Sequence, residues 1–319
     1  MMSGGGEVVC VTGASGYVAS WLVKGLLHRG YTVKATVRDL RNRRGFAHLK
    51  ALEGAKDRLH IFQANLTENG SFESIVDGCI AVFHTASPVV LSTTDPQGEV
   101  IEPAVKGTLN VLQSCSKAAS VRRVIVTSSM VAVNYNRNYQ GPDVVVDETW
   151  FSDPEYCRGN KRWYWLAKTL AEKAAWEYAQ ENKLNLVVLH PGFVIGPLLQ
   201  PTLNTTSQLI LNVLTGTQGF GDYQFVDVRD VARAHIQAFE NPSAAGRYIL
   251  VGTSITHSQL QHILHQLYPS LNLPTIGERN PTFQVSKQKA ESLGIKFMPL
   301  EVSLKDTVES LMQQNFFKL

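Results

Sequence analysis

The stretch that most limits how this chain can fold lies near its start. The apolar run Val8-Val9-Cys10-Val11 leads directly into Thr12-Gly13-Ala14-Ser15-Gly16-Tyr17-Val18-Ala19. A short buried strand that turns through glycines into a helix is the opening unit of a parallel, doubly wound sheet. The spacing G-x-x-G-x-x-A gives each small residue a task. Gly13 and Gly16 let backbone N–H groups approach an anion, and Ala19 lets the helix lie close to the strand. A plain strand–helix turn also uses glycine, but the strand before and the helix after make this a dinucleotide pyrophosphate site built on a helix N-terminus. Thr12, Gly13, Ser15, Gly16, Tyr17 and Val18 form that candidate contact.

The alternation continues. Val8–Thr12, Thr32–Val37, Leu59–Gln63, Ala81–Thr85, Arg123–Thr127 and Asn185–His190 read as short apolar strands bounded by turns. Helical patterns lie between them near Val18–Arg29, Arg43–Leu52, Ser71–Val76, Pro103–Ala119 and Lys161–Asn182. Repeated β-α-β predicts an α/β, Rossmann-type doubly wound parallel sheet with helices on both faces. After Pro191 the alternation weakens as Pro and Gly accumulate. Residues 1–190 are expected to form the NADP-binding domain and 191–319 mainly a smaller C-terminal substrate lobe. Within the latter, 224–251 is expected to fold back onto the sheet, and Ser303–Asn315 reads as a packed final helix.

Composition excludes several classes. Apolar residues make up 44% and charged residues 18%, as in an ordinary globular protein. A formal charge of +3, from 30 basic and 27 acidic residues, does not suggest a nucleic-acid partner. Cys10, Cys79, Cys115 and Cys157 are widely spaced, without C-x-x-C, so neither zinc nor a disulfide framework is indicated, and no metal is expected. No apolar stretch nears the roughly 20 residues of a membrane helix, and Met1 to Gly6 has no secretory pattern. The expectation is a cytoplasmic monomer or weak dimer, with no membrane partner.

The second strand ends Thr36-Val37-Arg38-Asp39, with Arg41, Arg43 and Arg44 beyond it. An acidic residue here would bind the ribose hydroxyl of NAD, whereas Arg accommodates a 2′-phosphate through charge-assisted bonds. Asp39 is a counter-signal, and most of these arginines belong to a solvated loop. Arg38 stands at the strand tip, so the cofactor is expected to be NADP(H).

Tyr164 and Lys168 lie one helical turn apart, on one face of a helix. Carbonyl reduction needs hydride at carbon and a proton at oxygen. A free phenol has a pKa near 10, and an adjacent ammonium favours the phenolate, so Lys168 is expected to lower that of Tyr164 and also to reach the ribose hydroxyls, both residues counting among the cofactor contacts. Ser128-Ser129 follow the strand Arg123–Thr127, at the carboxyl end where ligands bind in this architecture. Serine commonly terminates strands, but beside Tyr164 and Lys168 the hydroxyl of Ser129 is suited to hold a developing alkoxide.

Val11-Thr12-Gly13-Ala14-Ser15-Gly16, Val126-Thr127-Ser128-Ser129 and Tyr164-x-x-x-Lys168-Thr169-Leu170-Ala171-Glu172 resemble the extended short-chain dehydrogenase/reductases. His84-Thr85-Ala86-Ser87-Pro88 and Gly196-Pro197-Leu198-Leu199-Gln200-Pro201 are similar to their plant dihydroflavonol, cinnamoyl-CoA and phenylacetaldehyde (cinnamyl-alcohol-dehydrogenase-like) reductases. The resemblance covers nearly the whole chain. It implies that Ser129, Tyr164 and Lys168 are catalytic. It places Thr85, Ala86 and Ser87 along the cofactor, and Pro191, Gly192 and Val194 on the nicotinamide. Thr206 stands where relatives carry a cofactor-contacting Ser, and Arg44 near a Lys that assists with the 2′-phosphate. Asn65-Leu66 replaces their Asp-Leu near the adenine.

The same resemblance bears on substrate. Cinnamoyl-CoA reductases carry Asn-Trp-Tyr-Cys-Tyr where this chain has Arg162-Trp163-Tyr164-Trp165-Leu166, so Cys157 lacks the cysteine partner of those enzymes. Asn134 and Gln224 match an Asn and a Gln of dihydroflavonol reductases; with Ser129 and Tyr164 they are the candidate substrate contacts. The aromatic residues Trp163, Trp165, Phe193, Phe220 and Tyr223 serve either a pocket or the core. His190 and Glu172 are assigned to packing and helix solvation. The expected reaction is NADPH-dependent reduction of an aromatic or arylalkyl aldehyde or ketone, phenylacetaldehyde-like compounds ahead of cinnamoyl-CoA. Dihydroflavonol or cinnamoyl-CoA reduction is the alternative. A nucleotide-sugar epimerase or dehydratase would retain NAD, against Arg38, and a cofactor-sensing protein would need no Ser–Tyr–Lys set.

Overall fold

The computed structural model describes residues 5–89, 92–137, 141, 143–217, 221–271, 273 and 283–319; Phe220 lies outside them. The strands, in chain order, are β1 (Val8–Thr12), β2 (Thr32–Val37), β3 (Leu59–Gln63), β4 (Ala81–His84), β5 (Arg123–Thr127) and β6 (Val145–Val146). They continue with β7 (Leu186–Pro191), β8 (Phe193–Ile195), β9 (Asp222–Asp227), β10 (Gly246–Leu250), β11 (Thr253–Thr256) and β12 (Gln284–Val285). Seven of them form one sheet in the order β10-β7-β5-β4-β1-β2-β3, parallel at every pairing.

Burial explains the sequence pattern. Strands β4 and β7 are buried along their whole length, as are Val9 to Thr12 of β1. Strands covered on both faces read as continuous apolar runs. Helix Glu102–Lys117 packs on helix Trp163–Glu181, and helix Tyr17–His28 on helix Val228–Glu240. Strand order reverses between β1 and β4, with β2 and β3 to one side and β5 and β7 to the other. That reversal opens a crevice beyond the carboxyl ends of β1 and β4, where ligands bind in such sheets.

Beyond β7 the chain leaves the main sheet. Strands β8 and β9 pair in parallel and β11 runs antiparallel to β9, while β10 returns to the edge of the main sheet beside β7. Gly192 sits at this departure: a Cβ there would lie 2.1 Å from the Gln224 carbonyl oxygen. Only a residue without a side chain permits that approach. The last helix, Leu300–Gln313, fixes the following turn: Thr307 Oγ1 accepts from Gly196 N at 2.7 Å and Ser310 Oγ from Leu198 N at 2.9 Å. This helix starts before Ser303, directly after Pro299.

The single helix expected over Arg43–Leu52 is instead a 3-10 turn, Arg43–Phe46, followed by a short helix, Ala47–Lys50. Asn42 Oδ1 caps the 3-10 turn by accepting from Gly45 N at 3.2 Å, and the break falls at Phe46, whose φ of -130 and ψ of 12 leave the helical region. Among the described residues, no helix is long and apolar enough to cross a membrane.

Candidate active site

The glycine turn has the shape that its sequence requires. Gly13 is left-handed, with φ +63, and a Cβ there would meet the Cβ of Ala86 at 2.9 Å. The backbone of β1's exit thus lies directly against the segment after β4. Helix Tyr17–His28 begins at Gly16 with no side-chain cap, leaving first-turn N–H groups for an anion. Only backbone groups of Tyr17 can serve there, since its hydroxyl is turned away to donate to Gly196 O at 2.7 Å.

A latch holds the two strand ends together, and sequence reading missed it. Thr12 Oγ1 accepts from Thr85 N and from Ala86 N, each at 3.1 Å, and lies 2.9 Å from His84 Nδ1. With both lone pairs engaged, the hydroxyl proton goes to His84. Burial, followed by the nearby Lys168 charge, pulls the His84 pKa down to about 3, so this ring accepts. The hydroxyl of Thr12 is therefore spent on shaping the crevice wall of Thr85, Ala86 and Ser87.

The counter-signal at the second strand resolves locally. Asp39 accepts from its own loop, from Arg41 N at 2.8 Å and Arg41 Nε at 3.0 Å. Arg38 and Arg44 are exposed and, among the described residues, have no carboxylate partner. Asp39 is neutralised by its neighbour, and two guanidinium groups remain for a phosphate.

The Ser129 side chain faces the Tyr164 phenol and acts to lower its pKa, and Lys168, one turn on, donates from Nζ to Thr127 O at 3.3 Å. The three residues expected to act together are brought together at the carboxyl end of β5. Ser128, by contrast, is 6% exposed and donates to Glu172 Oε2 at 2.8 Å, so the two adjacent serines point to different partners. One expectation is reversed. Burial pushes the Tyr164 phenol up to about 12, against the lowering effect of Ser129. Lys168 is itself brought down to about 8 by burial, with Glu172 opposing. Desolvation is the largest influence on both groups, and the Lys168 charge is not among the causes acting on Tyr164.

A pH dependence follows from these two values. At neutral pH Tyr164 holds its proton and can donate it, so carbonyl reduction is expected to be flat there and to fall as Lys168 loses its charge above about 8. Alcohol oxidation needs the phenolate and should climb by about tenfold per pH unit wherever Lys168 stays charged. Rate profiles in both directions check this; an oxidation rate independent of pH would contradict it.

Other expected contacts are placed as follows. Pro191 ends β7, and Gly192 N donates to Leu250 O at 3.1 Å. Thr206 Oγ1 donates to the Val194 carbonyl and accepts from Asn204 Nδ2 at 2.6 Å, so its hydroxyl is internally engaged. Asn65 Oδ1 accepts from Thr67 N at 3.2 Å, and Leu66 O accepts from Asn110 Nδ2 at 2.7 Å. Asn134 is half-buried and Gln224 is 6% exposed; neither side-chain amide has a partner among the described residues. Trp165 packs on the cluster of Val100, Ile101, Cys157 and Leu166, with Tyr135 at 6.5 Å and the Arg162 guanidinium over its ring at 5.4 Å.

Glu172 was assigned to helix solvation, and the structure corrects this. It is 3% exposed and accepts from His190 Nε2 at 2.7 Å and Arg247 Nε at 2.7 Å. The only sequence signal was an acid one turn beyond Lys168, on the same helix face, amid small and apolar residues. Its partners lie on distant strands, out of reach of periodicity.

Comparison with known proteins identifies the class. Residues 9–252 match the NAD dependent epimerase/dehydratase family, and the chain belongs to that family, the extended short-chain dehydrogenase/reductases. It is an oxidoreductase. Among its relatives, the cinnamoyl-CoA reductase CAD2 of Medicago truncatula is 55% identical over 98% of this chain and 98% of its own. Vestitone reductase from alfalfa shares 32% identity with a TM-score of 0.84, covering 97% of this chain and 99% of the other. The yeast methylglyoxal/isovaleraldehyde reductase Gre2, solved with NADPH, shares 26% identity with a TM-score of 0.87, over 97% and 100%.

Proposed function

We propose that this protein is a reductase of phenylpropanoid carbonyl compounds, with a cinnamoyl-CoA-type thioester as its first substrate. The observation that carries the reading is Ser129 set against the Tyr164 phenol, with Lys168 one turn on and bonded to the end of β5 at Thr127 O. The cofactor is NADP(H), which when bound supplies the hydride. Gly13, Gly16 and the uncapped helix start fit its pyrophosphate, and Arg38 and Arg44 its 2′-phosphate. Ser129 holds the carbonyl oxygen, Tyr164 gives it a proton, and Lys168 keeps positive charge beside the phenol.

Two features support the thioester ahead of the compact aldehyde expected from sequence. Trp165 belongs to the cluster with Cys157 and Leu166, so its size does not argue for a narrowed entrance. Lys161 and Arg162, exposed and without a carboxylate partner among the described residues, stand three and two positions before Tyr164 and offer charge to CoA phosphates. The relation to CAD2 of Medicago truncatula supports the same order. The unpartnered amides of Asn134 and Gln224 favour a second reading, a hydroxylated ketone of dihydroflavonol type.

NADPH consumption with cinnamoyl-CoA, cinnamaldehyde, phenylacetaldehyde and a dihydroflavonol tests the assignment. The highest kcat/KM is expected for the thioester; a clear preference for phenylacetaldehyde would restore the compact-aldehyde reading. Arg162→Glu should raise KM for cinnamoyl-CoA about tenfold, the value of one charge-assisted contact of roughly 1.5 kcal/mol. Its KM for cinnamaldehyde should stay unchanged. Equal effects on both substrates would count against a phosphate contact.

A further inference from the structure

Behind the catalytic residues lies a buried charged network that the reaction does not itself use. Glu172 follows Lys168 by one turn on helix Trp163–Glu181. Its Oε2 accepts from Ser128 Oγ at 2.8 Å and from His190 Nε2 at 2.7 Å. Its Oε1 accepts from Arg247 Nε at 2.7 Å and Trp176 Nε1 at 3.3 Å. Arg247, 6% exposed, also donates to Glu148 O at 2.8 Å and to the Trp150 carbonyl, and lies over the Phe151 ring at 3.8 Å. His190 Nδ1 is buried without a partner, so this ring's contribution runs through Nε2.

One carboxylate therefore ties together β5 through Ser128, β7 through His190, β10 through Arg247 and the helix of Tyr164 and Lys168. Two of the three strand contacts stand next to a residue of the site: Ser128 precedes Ser129, and His190 precedes Pro191. A buried charge is costly unless fully paired, and packing alone would be served by an apolar residue here.

We infer that Glu172, clamped by Arg247, is a positioning residue. It fixes the Ser129 strand end against the Tyr164 helix and is the counter-charge that keeps Lys168 cationic. The inference rests on the reductase reading of the site. Several other groups surround Lys168. On its own helix is Tyr164. From β5 come Ser129 and the Thr127 carbonyl, with His235 at 2.7 Å from Thr127 Oγ1. His84 faces it from β4, with His190 and Arg247 behind the carboxylate. The carboxylate that acts on it is Glu172.

Three variants separate the two roles. Ser128→Ala cuts the tether and keeps the charge. Glu172→Gln removes the charge but strands the Arg247 guanidinium in the interior, where it can prevent folding. Glu172→Gln/Arg247→Met removes both charges, so no guanidinium is stranded and Lys168 alone loses its counter-charge. Each is followed from neutral to alkaline pH by turnover of the best carbonyl in the panel above and by NADPH fluorescence titration, with thermal unfolding to establish folding. In the double variant, the alkaline fall in turnover and the fall in NADPH affinity should both move about one pH unit lower, as expected when an opposite charge at short range is lost. In Ser128→Ala, kcat should drop about tenfold or more through misplacement of Ser129, with the pH limb unmoved. A folded double variant with both limbs at the parental pH overturns the inference, as does Ser128→Ala with parental kcat. If the parent protein turns over no carbonyl, the reductase reading fails instead, and the NADPH titration still decides the role of Glu172.

Discussion

Tyr164→Phe is expected to reduce turnover by roughly 100-fold or more, the range for loss of a general acid, while NADPH still binds. The substitution removes one oxygen and keeps the ring, so packing against Trp165, whose ring centroid lies 6.1 Å away, survives. It also takes away the hydroxyl that faces Ser129. Because the phenol is pushed up to about 12, the proton is present throughout the neutral range, and its loss cannot be masked by choosing a convenient pH. Steady-state kinetics with NADPH and the best carbonyl of the panel, alongside a direct NADPH titration, check it. Near-parental kcat would refute the proton-donor assignment, and loss of NADPH binding would show a structural role instead.

Arg38→Ala should weaken NADPH binding about 10- to 100-fold and leave NADH almost unchanged, since a hydrogen bond to a charged group is worth roughly 1.5–3 kcal/mol. Arg38 is exposed and free of carboxylates among the described residues, whereas Asp39 is engaged by Arg41 in its own loop. Removing Arg38 therefore breaks no internal ion pair, and a selective loss would report the 2′-phosphate. Arg44→Ala should show the same selectivity on a smaller scale, as the assisting cation. Equal losses for both cofactors after Arg38→Ala would mean that the residue supports the loop rather than the phosphate.

The strands and the glycine turn were legible because their causes are local. Val8 to Thr12 is apolar since that strand is covered on both faces, and Gly13 is glycine since a Cβ would meet Ala86. The Tyr164–Lys168 spacing was legible because a helix alone places one turn above the other. The helix expected over Arg43–Leu52 divides at Phe46, whose backbone leaves the helical region, a local conformation that apolar spacing does not record.

By itself, then, the sequence determined the alternating α/β order, the place of the phosphate turn, and which helix carries the proton donor, all of which depend on neighbours within a turn or two. Only the tertiary structure gave the two serines their partners, Ser128 donating to Glu172 while Ser129 faces Tyr164. It also decided the ionisation of Tyr164 and Lys168, and joined Glu172 to His190 and Arg247. The physical reason is common to all three: desolvation and ion pairing depend on what surrounds a group in space, and those surroundings come from strands far apart in the chain.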